Sequence, residues 1–272
     1  VGGAAGVGEG GGAGATGAGA AGSAGAAGAT PAPKYVSLAG VTTDERAITR
    51  GVDGIAYAVP LAGGPAEAIG DCLATVRGKV VTCTKEGKPM RVWTHATGVT
   101  ELPAATVAYA ADPDGTALIV TEKAPSGGSA YVVSRVNVDG TSRVQVGVAT
   151  FLPTASWVVD RFAVMLPAEN KNGGPIMTIG LTDASAKDVG VVSTGAYNLR
   201  MHPAAPGVVA GMTNPGGSGS ASYWVPIAGG TPILLADGLG YPRFVPDGSG
   251  VYLSSGEKTW FASSSAPAKQ LV

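Results

Sequence analysis

Residues 111–147 read ADPDGTALIVTEKAPSGGSAYVVSRVNVDGTSRVQVG and contain the pattern of strands and turns from which we predict the fold. The stretch opens with a Pro-Asp-Gly turn at residues 113–115, in which proline presets φ and glycine accepts a positive φ. Residues 117–121 are short, apolar and rich in branched side chains, which is typical of a strand buried on both faces. Residues 131–138 predict a third strand, and residues 143–146, after an Asp-Gly turn, predict a shorter and more exposed fourth strand.

The same pattern recurs in six units between residues 34 and 272. The short apolar strands are residues 47–49, 80–82, 118–120, 163–165, 208–210 and 251–253. The strands that follow them are residues 55–59, 91–94, 131–138, 176–181, 222–227 and 259–262. Six units of about 40 residues without helices predict an all-β, six-bladed β-propeller of four-stranded blades. A solenoid fits less well because no repeat carries a helix, and a β-sandwich would not require this recurrent unit.

Two of the units resemble a known family. Residues 241–255, YPRFVPDGSGVYLSS, and residues 111–121, ADPDGTALIVT, are similar to the repeat of TolB-type β-propellers. The fifth unit keeps Met201, His202 and Pro203 before its apolar strand, whereas units one, two and four lack the Pro-Asp-Gly turn. The resemblance implies a propeller fold and a tendency to bind other proteins, and it implies no particular activity.

The C-terminal residues indicate how the ring is built. Residues 268–272 read as the outer strand of the sixth unit. We therefore expect the last blade to be complete without a strand from the N-terminal side of the chain. Residues 35–38 should not pair with blade six.

Composition narrows the classes of partner. The chain has 272 residues, of which 45% are hydrophobic and 14% charged, with 44 glycines and 19 prolines, and this suits many short strands joined by tight turns. The net charge is −1 and no lysine or arginine cluster is present, so neither nucleic acid nor an anionic membrane surface is favoured as a partner. No apolar run reaches the roughly 18 to 20 residues that span a bilayer, so we predict no transmembrane segment. The chain starts at Val1, and we expect a processed or trimmed N-terminus.

Residues 1–33 form a Gly/Ala-rich region that we predict to be separate from the propeller at residues 34–272. Of the first 30 residues, 13 are glycine and 11 alanine, and Glu9 is the only charged one. Glycine recurs every third residue with two slips, most regularly at Gly8, Gly11, Gly14, Gly17, Gly19, Gly22, Gly25 and Gly28. An extended helix with three residues per turn would place these glycines on one face, where another backbone could approach. Because alanine replaces the prolines of collagen, a polyglycine-type helix is the nearer analogy.

Two interpretations of this region remain open. Ordering about 30 residues costs roughly 1 to 2 kcal/mol each in backbone entropy. Alanine side chains bury too little apolar surface to offset this cost. A single copy should therefore behave as a flexible tether. Neighbouring copies could order the segment by bonding to its backbone, and in that case the eight glycines above are assembly contacts.

The two cysteines predict a disulfide. If Arg77 and Gly78 form a two-residue hairpin loop, then Val76 faces Lys79, and counting outward places Cys72 opposite Cys83. Opposed residues of an antiparallel pair have Cα atoms about 4.5 to 5.5 Å apart, which suits a disulfide. The alternative is two buried free thiols. A disulfide would indicate an oxidising compartment, and we expect an extracellular or cell-surface location, with the periplasm as a further option.

The search for catalytic and ligand-binding motifs yields no active site. The chain contains no Gly-x-Ser-x-Gly, Walker A, His-Glu-x-x-His or Cys-x-x-Cys motif, and no Asn-x-Ser/Thr sequon. Asp114, Asp139 and Asp247 could bind calcium, but aspartate in such turns more often bonds to its own backbone. His202 lies in an expected turn and has no visible catalytic partner. We predict no catalytic residues, no metal and no cofactor.

The tryptophans fall in strand-like segments: Trp93, Trp157, Trp224 and Trp260. Packing between blades is the commoner role for such residues, and stacking on a glycan is the alternative.

Three classes of function follow. The first is a structural subunit of an extracellular filament or surface layer, with a propeller bead, a Gly/Ala connector and self-association through the tail into a homo-oligomer or polymer. The second is a tethered cell-surface or periplasmic binding module, a trimmed lipoprotein for example, that recognises a protein or a glycan. The third is a propeller enzyme such as a lactonase or hydrolase, and it is the least favoured because no converging set of acids, Asn and His can be assembled. The period-three glycines favour the structural subunit.

Overall fold

The computed structural model describes residues 34–102, 107–125, 129–168, 173–195, 199–213, 219–238, 242–255, 257–263 and 266–271. All regular secondary structure in these residues is β-strand. The strands form six four-stranded antiparallel sheets, and each sheet contains four strands that are consecutive in the chain. The protein is therefore an all-β, six-bladed propeller, as the repeat predicts. The Gly/Ala-rich region of residues 1–33, including the eight proposed contact glycines, lies outside the described residues.

The first three blades are formed as follows. Blade one contains β1 (Tyr35–Val41), β2 (Arg46–Gly51), β3 (Ile55–Pro60) and β4 (Glu67–Asp71). Blade two contains β5 (Leu73–Arg77), β6 (Val80–Thr84), β7 (Met90–Thr94) and β8 (Gly98–Leu102). Blade three contains β9 (Val107–Ala111), β10 (Ala117–Lys123), β11 (Tyr131–Asn137) and β12 (Val144–Ala149).

The other three blades repeat this arrangement. Blade four contains β13 (Thr154–Val158), β14 (Arg161–Met165), β15 (Gly174–Gly180) and β16 (Lys187–Ser193). Blade five contains β17 (Leu199–Arg200), β18 (Gly207–Thr213), β19 (Ser220–Pro226) and β20 (Ile233–Ala236). Blade six contains β21 (Arg243–Phe244), β22 (Gly250–Ser255), β23 (Lys258–Ser263) and β24 (Ala266–Gln270). The six apolar runs of the sequence are the second strands of the six blades, and the runs that follow them are the third strands.

The core lies between the blades, and β10 shows why its sequence is apolar throughout. Successive side chains of a strand point to opposite faces. Leu118 and Val120 pack towards blade two, whereas Ala117 and Ile119 pack towards blade four, and all four are at most 1% exposed. Full burial of a leucine or isoleucine side chain contributes about 1.5 to 3 kcal/mol. Five such clusters join the consecutive pairs of blades from one to six.

Blade six is completed by the C-terminal strand. β24 pairs with β23, and β1 pairs with β2 of blade one. The predicted ring construction is thus confirmed, with β24 beginning two residues before the predicted residue 268. Among the described residues, no hydrophobic cluster joins blade six to blade one, and Leu38 on β1 is 63% exposed.

A disulfide joins Cys72 to Cys83, with Cα atoms 5.4 Å apart. The predicted hairpin register is nevertheless wrong by one residue on each strand. Arg77 pairs with Val80, so the loop is Gly78 and Lys79, and Ala74 rather than Cys72 faces Cys83. Gly78 has a φ of +63°, and glycine at the first loop position is what a type II′ hairpin requires. Cys72 lies in the one-residue connection between β4 and β5.

We expect this disulfide to form in the native protein and to contribute modestly to stability. The cysteines are 11 residues apart, and closing so short a loop contributes about 2 to 3 kcal/mol. Replacing both cysteines with alanine should lower the free energy of unfolding in urea by that amount and leave the propeller folded. Peptide mapping without reduction should recover the two cysteines in one linked pair of peptides. Separate alkylated peptides, from protein never exposed to reductant, would contradict the prediction.

Candidate functional site

The hairpins of the propeller bring two turns of each blade to one face. In an antiparallel sheet of four consecutive strands, the turns after the first and third strands lie at the same end. A cleft of about 610 Å³ lies among turns of this kind from blades one to four. We call it the turn-face cleft. Its charged residues are Asp44, Lys79, Asp114 and Asp139, and its other polar residues are Thr94, His95, Thr97, Thr116 and Asn137.

The β9–β10 turn positions Asp114 through its neighbour Asp112. Asp112 is 1% exposed, and its carboxylate accepts hydrogen bonds from the backbone of Asp114 (3.2 Å), Thr116 (2.7 Å) and Ala117 (2.6 Å). The Thr116 hydroxyl donates a fourth bond, at 3.1 Å. With the turn held in this way, the Asp114 side chain points outward and is 80% exposed. Lys79 Nζ of blade two lies 3.3 Å from Asp114 Oδ1, so the turns of two blades meet at the edge of the cleft.

Asp139 projects from the β11–β12 turn in a similar way. The hydroxyl and the backbone N–H of Thr141 donate to its Oδ1 at 2.6 and 2.9 Å, and these bonds lower the pKa of Asp139. Both bonds use the same oxygen, so Oδ2 keeps its capacity to accept from a ligand. Asp139 is therefore a turn-forming residue, as predicted, and also a negative charge on the wall of the cleft.

A half-buried arginine, Arg46, lies behind Asp44 on the blade-one side of the cleft. The Arg46 side chain is 11% exposed and donates from Nη1 to Glu67 Oε1 at 3.0 Å. Its guanidinium lies 5.9 Å from the ring centroid of the buried Trp93. His95 Nδ1 is 3.3 Å from the same Glu67 oxygen. Arg46 Nε forms a long ion pair with Asp44 Oδ2 at 3.9 Å, and Asp44 Oδ1 is buried with no hydrogen-bond partner in the described part of the chain.

The resulting electrostatics are acidic. Asp44, Asp114 and Asp139 face the cleft with Lys79 as the opposing lysine, while Arg46 and Glu67 offset one another. Such a surface attracts cationic groups. Within the described residues, no group of three or more His, Cys, Asp or Glu side chains is placed to hold a metal ion.

The remaining singled-out residues lie elsewhere. Asp247 accepts from the hydroxyl and N–H of Ser249 at 2.7 and 2.9 Å in a blade-six turn, and these bonds lower its pKa. His202 stacks on Phe244 at 5.5 Å, and its Nδ1 accepts from the Ala204 N–H. His202 therefore packs between blades five and six.

The tryptophans pack between blades. Trp93, Trp157 and Trp224 are at most 8% exposed, and Trp260 packs against the cluster between blades five and six. None of these four lines the turn-face cleft. In this cleft, therefore, the tryptophans do not supply the aromatic stacking platform that a glycan site would need.

Sequence reasoning missed three residues that shape this face: Asp112, Arg46 and Arg77. Asp112 was recognisable in principle, because an aspartate two residues before the Asp-Gly pair is placed to accept from the turn's N–H groups. Arg46 and Arg77 carry no local signal, since their positions depend on how neighbouring blades pack.

The fold defines the class of the protein as a six-bladed β-propeller whose blades each consist of consecutive strands. No model of a known protein family matches the chain, and no curated protein is similar to it. Solved propellers are similar in structure. The β-propeller domain of the Trilobed protease from Pyrococcus furiosus, described as having an open velcro topology, has a TM-score of 0.50 at 10% identity, over 73% of this chain and 70% of that one.

Two further solved structures have lower scores. TolB from Acinetobacter baumannii has a TM-score of 0.43 at 12% identity, over 79% of this chain. This chain covers 58% of the length of that TolB. An oligogalacturonate lyase from Vibrio parahaemolyticus has a TM-score of 0.47 at 10% identity, over 88% of this chain and 78% of that one. At these identities the similarity concerns the fold alone.

The described residues contain no helix long and apolar enough to cross a membrane.

Proposed function

We propose that this protein is a binding module that holds a basic segment of a partner protein in its turn-face cleft. The observation that supports this function is the charge of the cleft, where three aspartates face one lysine. Exposed carboxylates on several turns suit the lysines and arginines of an extended polypeptide. A protein partner is favoured over a glycan because the tryptophans pack between blades.

The disulfide indicates the compartment in which the protein would perform this function. Disulfides persist in oxidising environments and are rare in the cytosol. We therefore infer an extracellular, cell-surface or periplasmic location. The proposed role is binding without catalysis, because Asp139 and Asp247 are engaged in their own turns and His202 packs on Phe244.

Removing the charges of the cleft should weaken the binding of a basic peptide. The probe is an acetylated and amidated peptide of alternating lysine and serine, titrated into the full chain at low ionic strength. In the triple variant Asp44→Asn, Asp114→Asn and Asp139→Asn, we expect affinity to fall at least about tenfold, because each close charge pair contributes about 1 kcal/mol in water. Calorimetry or fluorescence anisotropy gives the dissociation constants.

A matched variant separates the cleft from overall charge. Asp160, Asp237 and Asp247 are exposed and do not line the cleft. Replacing these three with asparagine changes the net charge equally, and affinity should fall less than about threefold through the long-range field alone. Equal losses in the two triple variants would show that the peptide responds to net charge and would refute the cleft as its site.

A second candidate function is the filament or surface-layer subunit, in which the tail connects propeller beads into a homo-oligomer or polymer. The specific observation in its favour is the recurrence of glycine every third residue between Gly8 and Gly28. These residues lie outside the described part of the chain, so the support comes from sequence alone. The two functions are compatible, because a polymer of propellers would present many turn-face clefts.

A further inference from the structure

A second depression, of about 410 Å³, lies beside the turn-face cleft. Residues of β5, β9 and β13, the first strands of blades two to four, line it, and β9 contacts β13, as expected of strands around the centre of a propeller. We call it the central depression. Its principal lining residues are Arg77, Tyr109, Pro113, Ser156, Trp157 and Pro203. Gly78 and Pro113 line this depression while their neighbours Lys79 and Asp114 line the cleft, so the two sites share a wall.

The walls of the central depression leave few polar groups free. The Trp157 indole N–H donates to Val159 O at 3.0 Å, and the Ser156 hydroxyl donates to Trp157 O at 3.1 Å. Asp112 is fully occupied by its own turn. These three side chains therefore satisfy their hydrogen bonds within the protein.

Arg77 is the exception. Its Nη1 donates to Tyr109 O at 3.0 Å, and its Nε is buried with no hydrogen-bond partner among the described residues. Burial lowers the pKa of Arg77, and its guanidinium forms no ion pair with a described carboxylate, including Asp112 of the same lining. A guanidinium has five N–H donors, so most of the donors of Arg77 remain available. A half-buried cation without a counter-ion is costly, and an anion that reaches it recovers part of that cost.

We propose that the central depression is a carboxylate-binding site in which Arg77 is the binding residue. A carboxylate matches the planar fork of a guanidinium and can accept bonds from its terminal nitrogens Nη1 and Nη2, while the buried Nε–H reports on the pair from behind. The apolar walls, including Pro113, Trp157 and Pro203, exclude water from the pair and strengthen it. The carboxylate comes from a small organic acid or from a glutamate or aspartate of a polypeptide, and the experiment distinguishes these sources.

The test follows the Arg77 side chain directly. The full chain is uniformly labelled with ¹⁵N, so that the arginine Nε–H and the backbone amide signals are both observed, and acetate is titrated at constant ionic strength against chloride. We expect the Arg77 Nε–H signal to shift saturably with acetate, with a midpoint on the order of 10 to 100 mM, and not with chloride. The Arg77→Lys variant, which keeps the charge but loses the fork, identifies the signal and should bind acetate at least about tenfold more weakly, as followed at the Tyr109 backbone amide.

A second arm identifies the source of the carboxylate. The capped peptide acetyl-Gly-Glu-Gly-amide is compared with acetate. Binding at least about fivefold tighter than acetate supports a polypeptide ligand, and equal binding supports a small acid. Shifts that fail to saturate, that chloride reproduces, or that Arg77→Lys leaves unchanged would overturn the site. Since the aspartates of the cleft play no part in this titration, failure here leaves the proposed peptide site intact, and the reverse also holds.

Discussion

Replacing Asp112 with alanine is expected to lower the free energy of unfolding by about 3 to 4 kcal/mol, as measured by urea denaturation at neutral pH. The carboxylate is buried and accepts three backbone N–H groups and the Thr116 hydroxyl. A hydrogen bond to a charged group contributes about 1.5 to 3 kcal/mol, and the four bonds are not additive because they share one acceptor group. Removing it leaves the N–H groups of the turn without their partner.

The same motif provides the control. Asp114 lies two residues further on, is 80% exposed and contacts Lys79 across a surface ion pair. Alanine at position 114 should change stability by less than about 0.5 kcal/mol. Asparagine at position 112 keeps one side-chain acceptor and should fall between the two alanine variants. Equal effects at positions 112 and 114 would contradict the assigned difference between the two carboxylates.

The fold was predictable because it depends on local patterns that recur. Each second strand is apolar on both faces, as in Leu118 and Ile119, and only a strand covered by two neighbouring blades requires such a sequence. The hairpin register was less predictable. The loops Arg77-Gly78 and Gly78-Lys79 both place a glycine in the turn. In both, the same residues of the two strands can alternate between the faces of the sheet. The structure distinguishes them by pairing Arg77 with Val80, which puts Gly78 at the first loop position, where its positive φ suits a type II′ turn.

The candidate site was less accessible to sequence reasoning. That Asp114 and Asp139 form turns could be predicted, because Asp-Gly pairs are local signals. Asp114 and Asp139 share a cleft with Asp44 only because turns of several blades meet at one face. Arg46 and Arg77 are further examples, since each becomes significant through burial against a neighbouring blade or strand. The sequence pattern shows at which end of a blade each turn lies. It does not show how far apart the turns of different blades are.

The prediction for the Gly/Ala-rich region is that polymers either form or are lost completely. If its glycines allow backbones of neighbouring copies to approach, replacing Gly11, Gly14, Gly22 and Gly25 with valine should abolish polymers of the full chain and leave folded monomers. A β-branched side chain at such positions blocks close approach, and glycine is the residue that permits it. Electron microscopy and analytical ultracentrifugation of the variant and the wild type give the result, and a chain beginning at Pro31 should behave like the variant.

A second variant with four valines tests the glycine row itself. Placing valine at Ala13, Ala18, Ala24 and Ala27 adds the same bulk and leaves the period-three glycines in place. This variant should still polymerise, because its added side chains lie off the glycine face. A flexible tether tolerates both sets of substitutions equally. If all chains polymerise alike, or if the wild type remains monomeric, the connector role is refuted, and the region serves as the tether of a binding module.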